Sequence, residues 1–337
     1  MIKIHQNIIR QVFTLILILF LGYLMFVEMI PFMTGVFGAI TLYILLKKIM
    51  RKMVLKGWNP TLAAILLLTI SFFGILIPFG LLGLLMFNRI QKAASKTSEV
   101  ISTIKEEVEI LEKTIGINFS SALDSEKISN YVSNALESLI GNTFNISIAI
   151  LIMYFLLYYM LVNRKQFIES IYTYLPLKQE NISIMGKEIN SIVKSNAIGI
   201  PIIALLQGIV ALIRFLLLGV PNPWFWFAIT TFGSMIPIVG TAIGIGPVIF
   251  LLFSAGHTWQ AIVMLLYGVL VVGMTDNFFR MVVQKKLADI HPLITLIGVI
   301  IGIPLFGFMG LIFGPLLISL FLLTLRIYKK EYVNEPN

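Results

Sequence analysis

The chain has 337 residues, 58% of them hydrophobic and 12% charged, against about 45–50% and about 25% in ordinary soluble domains. Its mean hydropathy of +0.96 is too high to come from one anchor. This excludes a soluble globular fold and predicts an all-α, polytopic transmembrane protein. Zero cysteines remove disulfides, thiolate metal sites and thiol nucleophiles. The three histidines, His5, His257 and His291, are too scattered for a metal cluster. No GxxxxGK[ST], HExxH or GxSxG pattern occurs, so neither ATP-driven nor hydrolytic chemistry has a motif, and neither an enzyme nor a cofactor is expected. The net charge of +9 does not point to nucleic acid. Residues 88–142 carry six Lys/Arg against eight Asp/Glu, which leaves the positive excess in short loops beside apolar runs, where it sets topology.

In chain order, Val12–Val27 and Pro31–Leu46 are apolar runs separated by Glu28, Met29 and Ile30, which predicts a tight helical hairpin. No small-residue cleavage site follows the first run, so it does not read as a signal peptide. The cluster Lys47, Lys48, Arg51, Lys52 and Lys56 marks the next loop as cytoplasmic, and the N-terminus with it. Pro60–Phe87, at 28 residues, exceeds one straight crossing and predicts tilt or a bend at Pro78. These helices make up the unit 1–87. Residues 88–142 are polar, with helical stripes at Ile101, Ile104, Val108, Leu111 and Ile115 and again at Ile128, Val132, Ala135 and Leu139. They predict an extracytoplasmic amphipathic insertion that packs on a partner or at the lipid interface. In the unit 143–220, Thr143–Val162 is a fourth span and Ala197–Val220, interrupted by Pro201, a fifth. Between them, Ile182, Met185, Ile189 and Ile192 share one face of a cytoplasmic surface helix.

The unit 221–325 resists simple counting. Pro223–Phe253 is interrupted by Pro237, Gly240, Gly244, Gly246 and Pro247. Leu293–Leu325 has 33 residues and contains Gly302, Pro304, Gly307, Gly310, Gly314 and Pro315. If each run crossed once, the basic loop 276–292 would lie outside, against the charge rule. Two broken hairpins of opposite orientation, flanking the span Trp259–Thr275, resolve the conflict and keep the tail 326–337 cytoplasmic. Interrupted segments of opposite sense point to a transporter with a mid-membrane site. Both segments read IPxxG followed by GP, at Ile236–Gly240 with Gly246-Pro247 and at Ile303–Gly307 with Gly314-Pro315. An internal repeat and small-residue helix packing both remain open as explanations.

Several elements together resemble the autoinducer-2 exporter family of bacterial membrane proteins. They are Gly219-Val220-Pro221-Asn222-Pro223, Ile236-Pro237-Ile238-Val239-Gly240, Asp276-Asn277, His291-Pro292-Leu293 and Leu305-Phe306-Gly307 with Gly310 and Gly314-Pro315. The resemblance implies a multi-spanning transporter without an ATPase domain, homo-oligomers with pentamers among the expected forms, and a bacterial plasma-membrane location. It implies export of the quorum-sensing signal autoinducer-2, or, as in some relatives, sodium– or lithium–proton antiport. Where the family often has a proline shortly after the Asp-Asn pair, this chain reads Phe278-Phe279-Arg280-Met281.

The expected substrate-binding residues are Pro237, Gly240, Thr241, Pro304, Gly307, Gly310, Gln207 and Arg214. A proline frees the carbonyl four residues upstream and glycine admits close backbone approach, so helix breaks can coordinate a cation or a polyhydroxylated molecule. Asp276 and Asn277 are the ion-coupling candidates, set against an Asp276–Arg280 pair at helical spacing. Arg214 either snorkels to headgroups or meets substrate. Gln207 either binds solute or bonds a neighbouring helix. His291-Pro292 fixes an entry turn, and Trp224–Phe227 reads as an interfacial belt. The leading expectation is a secondary transporter exporting a small polar organic solute. A cation–proton antiporter and a non-transporting membrane scaffold are the rivals. The expected partners are a small-molecule or ion substrate and membrane lipid.

Overall fold

Proline and glycine decide where most helices of this chain begin and end. A computed structural model describes residues 6–95, 143–175, 177–237, 240–275, 278–279 and 291–330, and every regular element among them is helical. Helix α1 (Gln6–Met29) passes through one 3-10 turn, Ile30–Phe32, into α2 (Met33–Leu55). Gly57, at φ +88°, follows the end of α2. The Asn59 side chain then accepts from the Thr61 N–H at 2.9 Å where α3 (Pro60–Ser95) starts. Helix α4 (Thr143–Val162) turns at Asn163 into α5 (Arg164–Tyr174), and α6 (Gln179–Leu217) follows. Asn222, left-handed at φ 56°, leads into Pro223 at the start of α7 (Pro223–Gly233). Helix α8 (Gly240–Ser254) precedes α9 (Thr258–Leu266), which widens into a π-helical turn at Tyr267–Val272. The His291 imidazole accepts from the Leu293 N–H at 3.3 Å and caps α10 (Pro292–Phe306), with Pro292 in its first turn. A 3-10 turn, Gly307–Met309, leads to α11 (Gly310–Tyr328).

Six apolar helical stretches among the described residues are long enough to cross a membrane, and the all-α polytopic class stands. Two details differ from the reading of the sequence. The turn after α1 keeps right-handed helical dihedrals at Met29, Phe32 and Met33, so the chain bends there instead of reversing. Accordingly, α1 supplies no residue to any of the three buried clusters. The surface helix and the fifth span are one 39-residue helix, α6, with Pro201 inside it. Pro78 lies inside α3, where the sequence expects tilt or a bend. The striped helices expected between residues 96 and 142, and the loop at 280–290, lie outside the described residues.

Glycine packing makes two antiparallel hairpins. In the first, a Cβ on Gly240 would strike the Gly233 carbonyl, and one on Gly244 would strike Thr230, so α7 and α8 lie backbone to backbone. In the second, a Cβ on Gly302 would meet Gly310 and Gly314, and one on Gly298 would meet Pro315. Lipid supplies no hydrophobic drive to bring helices together, so van der Waals contact at such small residues carries much of the association. The shared IPxxG motif occupies different places in the two. Pro237 lies in the first turn and Gly240 opens the return arm. Pro304 still belongs to the outgoing arm, and Gly307 makes the turn at φ +56°. By packing, the counterpart of Gly240 is therefore Gly310.

Helix α6 is the axis on which both hairpins lie. The first follows its C-terminal half, with Gly208 against Thr231 and Phe227. The second follows its N-terminal half, where Ile192 and Val193 share a buried cluster with Ile312, Phe313 and Leu316. The turns meet at the middle of α6, in a cluster of Ile200, Ala204, Met235, Val299 and Leu311. Phe37 of α2 stacks on Phe313 with centroids 4.3 Å apart and sits edge-on to Phe306 at 4.8 Å, gripping the second turn.

Candidate functional site at the meeting of two hairpins

Where the turns converge lies a partly open cavity of about 420 Å³. Gly38, Thr41 and Leu42 of α2 form one wall, and Asn196, Ala197 and Pro201 of α6 another. Met235 enters from the first turn, and Phe308, Met309 and Ile312 from the second hairpin. Among the described residues, no charged side chain lines it. Polarity is confined to a few atoms. The Thr41 hydroxyl donates to the Phe37 carbonyl at 2.9 Å, which spends its proton on its own helix. Asn196 is fully buried; its Nδ2 donates to the Ile312 carbonyl at 3.1 Å, and its Oδ1 has no partner. Pro201 has no N–H to give the carbonyl of Ala197, four residues upstream. Asn196 Oδ1 is thus a buried acceptor without a partner beside an otherwise apolar space. A second cavity of about 550 Å³, lined by Pro31, Thr34, Asn145 and Gly307, shares Ile150, Met153 and Met309 with the first.

None of the expected site residues that the structure describes lines this cavity. Gly240 and Gly310 are the close-packing points of the two hairpins. Pro237 is buried in the first turn beside Met235, Thr241 is half-buried in the first turn of α8, and Pro304 is exposed. Gly307 lines the second cavity. Gln207 is 1% exposed on α6. The Arg214 guanidinium lies 5.4 Å from the Tyr267 ring centroid, and the Tyr267 hydroxyl donates to the Val210 carbonyl at 2.9 Å. Asp276 and Asn277 lie outside the described residues. The residues that the sequence does not single out are Asn196, Thr41 and Met235. A lone asparagine before an apolar run gives no signal of its own, although Pro201 beside it does.

Paired helical hairpins meeting on a central helix, with six apolar stretches long enough to cross a membrane among the described residues, define a polytopic all-α membrane protein. The sequence matches the AI-2E family transporter description over residues 13–330, and the chain belongs to that family of membrane transporters. It is 26% identical over 324 residues to a provisionally named transport protein of Aquifex aeolicus, covering 89% of each chain. It is also 27% identical over 209 residues to the provisionally named transport protein Rv1101c of Mycobacterium tuberculosis, covering 62% of this chain and 54% of that one. A further relative is the provisionally named transport protein BU123 of Buchnera aphidicola, 33% identical over 129 residues and matched over 38% of this chain and 35% of the relative.

Proposed function

We propose that this protein is a secondary transporter that exports a small, uncharged organic solute through the cavity between the hairpin turns. The convergence of both turns on α6 carries this reading. A cavity bordered by two separate hairpins can open toward either side as one hairpin moves, which alternating access requires. In this reading both hairpins re-enter the membrane, one from each face. The sequence has no nucleotide-binding loop, so a solute or ion gradient supplies the drive.

The lining sets the solute class. Asn196 Oδ1, which is covered until a hairpin moves, suits a hydroxyl donor, while the Met and Ile side chains suit a carbon skeleton. Autoinducer-2, the solute implied by the family, is the first compound to test. Cation–proton antiport gains nothing from the described lining of this cavity, which holds no carboxylate.

The test is flux by full-length protein in proteoliposomes. Ile150 lines both cavities and is 41% exposed, so Ile150→Trp has room to fold while filling the passage. Solute flux should collapse with little change in melting temperature. Unchanged flux with Ile150→Trp would remove this cavity from the pathway.

A further inference from the structure

A different cavity, of about 690 Å³, lies at the far end of α2, where that helix meets the α4–α5 corner. We propose that it binds the phosphate of an anionic phospholipid headgroup. Lys47 and Arg51 reach it from α2, and Arg164 and Lys165 from the start of α5. Glu169 is the one acidic residue on its wall. Among the described residues, the structure records no ion pair for any of the four cations. The charges acting most on Lys47 are Arg164 and Lys48, both repulsive, and its Nζ sits 5.7 Å from the Tyr43 ring centroid. The positive end of the α5 helix dipole adds to the same field. Like charges gathered around a concavity with one carboxylate between them favour an anion that bridges several cations. Phosphate does this, and arginine binds it through two donors at once.

The surroundings select a lipid over a free phosphate. The cavity sits where the apolar runs of α2 and α4 both end, at the level of headgroups. Met50, Val54, Leu55 and Leu161 supply apolar walls beside the cations, and Val54 and Leu55 are exposed, so acyl chains have a surface to follow. A soluble phosphate would use the charges and leave these walls uncovered. The site does not depend on what the transporter carries.

The experiment titrates full-length protein in uncharged detergent with phosphatidylglycerol, phosphatidylcholine or glycerol 1-phosphate, read by native mass spectrometry and melting temperature. Phosphatidylglycerol should bind saturably and raise the melting temperature, and the other two should do neither. Each cation removed should weaken binding about fivefold, so Arg51→Gln with Arg164→Gln should cost about 25-fold. Lys165→Gln, at an exposed position, should cost about fivefold and serves if the double variant does not fold. Lys329→Gln with Lys330→Gln, on the tail side of α11, should leave binding unchanged. Equal response to phosphatidylcholine, equal competition by glycerol 1-phosphate, or unchanged affinity in the α5 variants would each overturn the proposal.

Discussion

Asn196 and Ile312 are joined side chain to backbone, Nδ2 donating to the carbonyl oxygen at 3.1 Å, with both residues buried. The bond ties the middle of α6 to the return arm of the second hairpin, one turn from the cavity mouth at Met309. It also leaves Asn196 Oδ1 unpartnered. One residue thus ties a hairpin to α6 and keeps a buried acceptor free, the atom that the proposed transport cycle would expose to solute.

Asn196→Leu should remove both roles. Interhelical hydrogen bonds in membranes are worth about 0.6–2 kcal/mol, so the loss of stability should be small. Flux should fall by far more than that loss explains. Asn196→Gln, which keeps the amide, should restore part of the flux. Thermal unfolding in detergent and proteoliposome flux, measured on the same preparations, separate the two effects. Equal flux in the Leu and Gln variants would deny Asn196 any contact with solute.

The hairpin glycines make a second test, in which the expected damage differs by position. A side chain on Gly310 or Gly240 would strike the backbone of the opposite arm. Gly310→Leu and Gly240→Leu should therefore separate the arms and yield unstable protein, at about 1–3 kcal/mol or more. Gly307 has open space around its Cα but sits at φ 56° and ψ −138°, a conformation nearly closed to other residues. Gly307→Ala should cost about 1–3 kcal/mol through backbone strain alone. Melting temperatures of the three variants check the order, and Gly307→Ala should remain folded enough for a flux measurement.

The hairpins are legible in the sequence because proline and glycine act locally. Pro237 and Gly307 lie in the turns themselves, and Pro304 stands within one helical turn of the second. The register between the hairpins is not legible, because it depends on which glycines face each other. The motif pairs Gly240 with Gly307, whereas packing pairs Gly240 with Gly310. Asn196 is invisible for the same reason, since its partner lies 116 residues away. The supposed hairpin at Glu28–Ile30 shows the limit of composition. A short polar break suggests reversal, but no glycine there supplies the left-handed residue, and Pro31 fits the right-handed turn that forms.

Arg214 and Tyr267 form a pair suited to a double-mutant cycle. The ring carries the guanidinium on its face, and its hydroxyl is bonded to the Val210 carbonyl. Tyr267→Phe should cost about 0.6 kcal/mol, the average for a membrane hydrogen bond. Tyr267→Leu should cost more by about 0.5–2 kcal/mol, the value of the cation–π contact. In the background of Arg214→Met that extra cost should vanish. If it persists, the ring acts by packing and the guanidinium by something else.

The sidedness of the hairpins is testable directly, because the chain contains no cysteine and any introduced thiol is the only one. Asn222 and His257 flank the first hairpin, and His291 and Lys329 flank the second; all four are exposed. A hairpin that folds back on itself returns to the face it left, whereas a straight crossing does not. Asn222→Cys and His257→Cys should therefore react with a membrane-impermeant maleimide added outside intact cells. His291→Cys and Lys329→Cys should react only after the cells are opened. This assignment follows from the cytoplasmic placement of Lys47–Lys56 by the charge rule, so Lys56→Cys, protected in intact cells, is the internal reference. Labelling of Asn222→Cys and His257→Cys from opposite faces would mean that the first hairpin spans the membrane, and with it would go the alternating closure of the cavity at Asn196.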